Sequence, residues 1–269
     1  MNPLEKKIMT KVLCIDSLFR PNYEKTKSTD FTYVLPEHMK KISSIKISAI
    51  EIPNEWYAFA TENKNNAFQM NGTTVTIPDG NYLSGEFVSV VGPLLPTGTI
   101  TISSFTTKTT FEDNNEFTLD FSVADVPLFR TAGWSMGFRQ AAYTSVFNSV
   151  TNKYEVVSES SYGSSFDNYI FVEIDDYQNN FVTDSVVSIV VLNKVPSYLG
   201  KNIMARIPVN SMQNTIVFNN ASDLIFKCRE YFGPVRLERL RIRILNRFGE
   251  VINLNSNDFS MALEITELY

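Results

Sequence analysis

Apolar and polar positions alternate with period two near the end of this chain. Phe259, Met261, Leu263 and Ile265 share one phase, while Ser260, Glu264 and Thr266 share the other. This is the pattern of a strand with one buried face. In the run before it, Leu240, Ile242 and Ile244 alternate with Arg239, Arg241 and Arg243, so a basic row stands opposite an apolar one. Phe248-Gly249 supplies a turn between the two runs, and the last run, reaching the C-terminus, is expected to close a sheet. Pro234 followed by Leu237, Leu240 and Ile244 also fits one face of a helix. The alternating arginines and isoleucines favour the strand.

The same reading extends upstream. Phe31, Tyr33 and Leu35 alternate with Asp30, Thr32 and Val34 and predict a strand stopped by Pro36. Ile45, Ile47 and Ala49 occupy one phase, and Ile50 and Ile52 the other, before Pro53. The same one-residue slip separates Val235 and Leu237 from Leu240 and Ile242. Bulges are therefore expected near Ala49-Ile50 and Glu238-Arg239. Leu83, Phe87, Val88 and Val91 recur at helical spacing and predict a short helix between Ile77 and Leu95, with a second helical turn within Val126 to Phe138.

Short strands are expected at 99–103 and 116–121, with a polar loop at 106–115 between them, and again at 169–174, 185–192, 203–207 and 215–218. The run SVVSIVVL is apolar on both phases, which predicts a strand central in its sheet. Residues 1–22 have weak periodicity and end at Arg20-Pro21-Asn22, the signature of an extended N-terminal arm. These elements predict a mainly β protein. The expected fold is an antiparallel jelly-roll-like β-sandwich over 23–269, with one or two short helices and an insertion around 78–165.

Composition narrows the function classes. With 43% hydrophobic and 13% aromatic residues in a chain of 269, the protein is globular rather than disordered. A formal charge of -5 argues against a general nucleic-acid binder, whose footprint is a basic surface. The charged start MNPLEKKIMTKVLCID has no apolar stretch of signal-peptide length, and the longest apolar run, Val186 to Leu192, is too short to cross a bilayer. Cys14 and Cys228 each sit in an apolar run and read as buried free thiols, a bridge between them being the alternative.

Candidate chemistry is sparse. His38 is the single histidine and stands beside Met39-Lys40-Lys41, a surface setting rather than a triad. No cysteine-histidine cluster has zinc spacing, and Gly133 to Gly137 lacks the lysine of a phosphate loop. Asp175-Asp176 could hold a hard cation or act as an acid-base pair. Neighbours on a strand end point to opposite faces, however, so a solvated turn is the better reading. No catalytic residue, cofactor or metal is expected. Trp56, Tyr57, Tyr82 and Trp134 suit a core or a subunit interface, with stacking on sugars as the rival use.

Several segments resemble one family, taken in chain order. They are IDSLFR (Ile15 to Arg20), STDFTYVLP (Ser28 to Pro36), ISAIEIPNEWYAF (Ile47 to Phe59), IPDGNY (Ile77 to Tyr82), GWSMGFR (Gly133 to Arg139) and the closing run from Tyr231 to Tyr269. Together they are similar to minor capsid proteins of large icosahedral double-stranded DNA viruses. The resemblance implies a virion structural protein, assembled in the host cell, that cements or fills the shell. Its implied partners are the major capsid protein and other minor capsid proteins, with self-association open. A vertex penton and a glycan-binding surface module are the alternatives. Trp56, Tyr57, Arg239, Arg241 and Arg243 are the candidate interface residues, the arginines being either a solvated face or forks for a neighbour's carboxylates.

Overall fold

The computed structural model describes residues 8–163, 167–182, 187–190, 196–199, 202–209, 215–220 and 228–268. The chain forms two compact units, one of residues 1–56 with 167–269 and one of residues 57–166. The strands before residue 57 are β1 (Ile8–Asp16) and β2 (Asp30–Pro53). The second unit holds β3 (Ala67–Met70), β4 (Thr73–Thr76), β5 (Thr99–Ile102), β6 (Lys108–Asp113), β7 (Thr118–Asp120), β8 (Ala142–Thr144), β9 (Val146–Asn148) and β10 (Lys153–Ser161). It also holds two short helices, α1 (Ser84–Val91) and α2 (Ala132–Ser135). The chain returns to the first unit with β11 (Tyr169–Asp175), β12 (Val187–Val190), β13 (Pro196–Leu199), β14 (Ile203–Pro208), β15 (Ile216–Asn220), β16 (Cys228–Leu245) and β17 (Ser260–Leu268). The fold is mainly β, an antiparallel jelly-roll-like sandwich with short helices.

The first unit is organised by two long strands. Its seven-stranded sheet runs β1-β17-β2-β16-β11-β14, with β15 also on β2. β2 has 24 residues and β16 has 18, and each changes partner along its length. β2 meets β16 at both ends of their overlap, then β17, then β15. Register shifts let them bend. On β16, Leu237 faces Met39 but Arg239 faces Val34, so Leu35 to His38 stand opposite Glu238 alone and fall outside the ladder. Glu230 faces Ser44 but Val235 faces Ile42, so Tyr231 to Pro234 stand opposite Ser43 alone and fall outside the ladder in turn. Each proline therefore sits where the ladder asks for no N–H. The strand expected to stop at Pro36 continues past it for this reason, and 228–245 is strand rather than helix.

The phase slip at Ala49-Ile50 is also a bulge. Ala262 faces Ala49 and Leu263 faces Ile47, leaving Ser48 extra, and a second shift leaves Ser43 extra. Both extra residues are serines whose hydroxyls donate to β17 carbonyls, Ser48 to Ala262 at 3.0 Å and Ser43 to Thr266 at 3.2 Å. The inward phases join one core containing Ile42, Ile45, Ile47, Ile50, Leu240, Ile242, Leu263 and Ile265. Burying each such side chain contributes about 1.5–3 kcal/mol.

Three expectations are corrected here. The last two runs are not a hairpin, because β2 lies between β16 and β17. The Phe248-Gly249 turn exists, with Gly249 at φ 81 and Asn246 accepting from Phe248 and Glu250, but the chain then travels on to Phe259 before re-entering the sheet. Residues 8–16, read as an arm, form β1 paired with β17 over their whole length. The run IMTKVLCID is apolar on both phases, which hid Leu13 and Ile15 as the core side. The SVVSIVVL run falls partly on residues outside those described; its described part, β12, pairs with β13 in a two-stranded ribbon rather than at a sheet centre.

The second unit has two four-stranded sheets, β5-β6-β10-β9 and β4-β3-β7-β8. Its core is rich in phenylalanine, with Phe121 and Phe138 stacked at 4.8 Å and Phe87 and Val91 of α1 fully buried. β6 occupies the expected polar loop at 106–115. Its inward Thr109, Phe111 and Asp113 include one apolar residue, so hydropathy alone did not show the alternation. Thr109 is satisfied by Met136 O at 2.7 Å.

Candidate functional site

The arginine row on β16 is a regular charged feature of the first unit. Its side chains alternate with buried Leu240, Ile242 and Ile244, so the strand itself sets their common face. Arg241 grips Asp30 of β2 through two contacts of 3.0 Å, a bidentate fork. That hydrogen bonding holds the guanidinium above its usual range. Arg243 reaches Glu173 of β11 at 2.6 Å, directly across the strand pair. Arg239 lies over the Tyr177 ring at 4.2 Å. Beyond the register shift, Arg236 pairs with Glu238 at 3.0 Å and touches His38 Nδ1. Each cation thus has an internal partner, and those of Arg236, Arg239 and Arg241 remain solvent-accessible enough to exchange it.

Two open clefts flank the row. One, of about 430 Å³, is lined by His38, Tyr177, Arg236, Glu238 and Arg239 among others. The other, of about 520 Å³, has Lys25, Lys27, Asp30 and Arg241 on its walls. Both are wide open to solvent, which suits contact with another macromolecule better than enclosure of a small ligand.

Asp176 is the clearest departure from expectation. Asp175 turns outward and accepts from Tyr177 N at 2.9 Å, while Asp176 is fully buried and forms an ion pair of 2.9 Å with Arg229. The opposite orientation of the two neighbours holds, and the solvated reading of Asp176 does not. Tyr231 donates to the same carboxylate, Arg229 donates to Ile174 O at 2.9 Å, and its guanidinium stacks 4.8 Å from the Phe181 ring. Burial first, then the Asp176 charge, raises the Tyr231 hydroxyl well above the usual tyrosine range. The signal in the sequence was Arg229 on the inward phase of β16 with Tyr231 and Val235. It is a structural lock between β11 and β16. Among the described residues no group of three or more His, Cys, Asp or Glu is placed to hold a metal.

The aromatic candidates separate. Trp56, 8% exposed, belongs to the core of the first unit, which removes it from a surface role. Tyr57, 38% exposed, begins the second unit. Within that unit Tyr82 packs on Phe59 and Phe87, and Trp134 sits apart under Arg139 at 4.0 Å. Gly133 and Gly137 serve packing. A Cβ on Gly133 would lie 2.4 Å from the Phe121 ring, and Gly137, at φ +98, has Ser160 O 2.2 Å from where its Cβ would stand. Cys14 and Cys228 are thiols outside any disulfide, as expected, but exposed rather than buried.

Sequence reasoning missed the hub at Asp258. It accepts from Ser17 Oγ at 2.8 Å, Arg20 Nη1 at 2.6 Å and Tyr23 Oη at 3.2 Å. Ser17 Oγ accepts from Phe259 N at 2.9 Å, and Asp16 caps Leu18 N at 2.9 Å. The segment IDSLFR is thereby clamped to the start of β17.

No known protein-family model matches the sequence, and no curated protein matches it. Among solved structures, the mavirus penton protein shares the fold, with a TM-score of 0.51, 10% identity, and coverage of 98% of this chain and 100% of that one. A chain of the Sputnik virophage particle aligns over 95% of this chain and 97% of its own at 12% identity, with a TM-score of 0.42. The mavirus likeness over the full length of both chains shows that this chain has the fold of a viral penton protein.

Proposed function

We propose that this chain is a structural protein of an icosahedral virion shell, a minor capsid component that cements or fills the shell beside the major capsid lattice. Its work is burial of surface, not chemistry. The observation that carries this reading is the fold shared with the mavirus penton protein over the full length of both chains. The segments resembling minor capsid proteins point the same way. Its partners on this reading are the major capsid protein and other minor capsid proteins. In the first unit the Arg239, Arg241 and Arg243 row is offered to them, Arg241 exchanging its internal carboxylate for a neighbour's, and in the second unit, separately, Tyr57 is offered.

A vertex role is the second reading, favoured by the neighbour being a penton. Gradient-purified particles analysed by quantitative mass spectrometry test both. The chain should copurify at a fixed ratio to the major capsid protein; a ratio of one pentamer per vertex selects the penton role, and a different fixed ratio selects the facet. Loss of the chain from intact particles would refute both.

A further inference from the structure

Among the described residues, β1 is an unguarded sheet edge. It ends the seven-stranded order, is nine residues long, and pairs with β17 without a break from Ile8↔Leu268 to Asp16↔Ser260. A free row of N–H and C=O groups templates another strand, so edges are normally blunted by shortness, proline, a bulge or an exposed charge. The opposite edge, β14, has such devices. Its ladder shifts register at Val172/Glu173, Arg206 stands exposed, and Pro208 ends it. β1 has no proline and no bulge, and its one cation, Lys11, is tied back to Glu267 of β17 at 2.6 Å.

Two further observations describe what is missing. Ser17 N–H donates to Phe259 O at 2.9 Å. By the alternation of an antiparallel ladder, odd-numbered residues of β1 then turn their backbone groups to β17, and Ile8, Thr10, Val12, Cys14 and Asp16 turn theirs to the open edge. Among the described residues the core is also incompletely covered on this side. Leu263 and Ile265 are fully buried, yet Leu13 and Lys11 beside them, and Met9, stay half-buried.

We infer that β1 docks edge to edge, antiparallel, against β1 of a second copy of this chain about a two-fold axis at Val12. The strand is self-complementary about that point, as a two-fold interface requires. Ile8 falls opposite Asp16, Thr10 opposite Cys14, Met9 opposite Ile15 and Lys11 opposite Leu13. All nine residues find partners, outward N–H groups meet outward C=O groups, and neither charge faces its like. Moving the axis to Lys11 would set Lys11 against Lys11, and moving it to Leu13 would strip Ile8 and Met9 of partners. A rotation about an axis normal to the sheet keeps both core faces on one side, so Met9 and Leu13 gain apolar neighbours.

The test uses the purified full-length chain and does not depend on the virion reading. Sedimentation equilibrium under reducing conditions should show a dimer that dissociates on dilution. Val12→Pro removes an outward N–H and leaves the β17 ladder whole, so it should keep the melting temperature within a few degrees and weaken the dimer at least about tenfold. Val12→Lys keeps the N–H but places two cations on the axis, and should weaken the dimer most at low salt. It decides the question if the proline variant fails to fold. Thr10→Cys in a Cys228→Ser background brings the new thiol opposite native Cys14, about 5.5 Å apart between Cα atoms, within disulfide reach. Oxidation should give a covalent dimer that Cys228→Ser alone does not. A chain that stays monomeric, or an oligomer indifferent to both Val12 variants, overturns the inference.

Discussion

Asp258 and Asp176 show how single carboxylates organise this molecule. Asp258 gathers three donors from residues 17–23, so Asp258→Ala should lower unfolding free energy by about 1–3 kcal/mol by leaving partly buried donors unmatched. Urea denaturation measures it. Arg229→Met strands Asp176 and should cost more, about 3–5 kcal/mol. Tyr231 adds a pH signature. Its folded pKa is raised, so its contribution is complete below the pKa of the unfolded tyrosine, about 10, and is lost as the pH rises above it. The urea midpoint should hold steady to about pH 10 and then fall; Tyr231→Phe should remove part of that fall, and an unchanged slope would remove Tyr231 as its source. None of these roles was legible beforehand, since the partners are more than fifty residues apart in sequence. Asp176 looked like a turn residue because pattern reading cannot see which strand arrives to cover it.

At the scale of elements, the strands with a clean single phase were the readable ones. β17 and the second half of β16 show their buried faces directly, and the phase slips located two real bulges. Pro36 misled because a proline ends a strand only if the ladder needs its N–H, and here the partner strand skips it. β1 misled because both its faces are apolar, one toward the core and one toward solvent. Removing residues 1–16 should therefore lower stability rather than spare the fold, since Ile15 is buried and β17 loses a neighbour. Removing 259–269 should abolish folding, because β17 is an inner strand between β1 and β2. Melting curves of the two truncations check this. A 1–16 deletion that melts with wild type would show that β1 contributes nothing to the isolated protein.

At the scale of the whole molecule, the chain leaves the first unit at Trp56 and rejoins it at Asp167. The intervening residues 57–166 have their own core, built on Phe59, Phe87, Phe111, Phe121 and Phe138. Expressed alone, they should give a cooperative melt; a non-cooperative one would mean the unit depends on the rest of the chain. Fold class was readable because β-branched and aromatic strands recur throughout. The division at 57 was not, because the β3–β4 hairpin, at Ala67–Thr76, is too short to announce a new core. The proposed shell role is supported by the fold shared with the mavirus penton protein. Its most direct test is a reconstruction of the purified virus particle. The account predicts density fitting both units at a fixed position next to the major capsid lattice, and particles whose shell has no such density would contradict it.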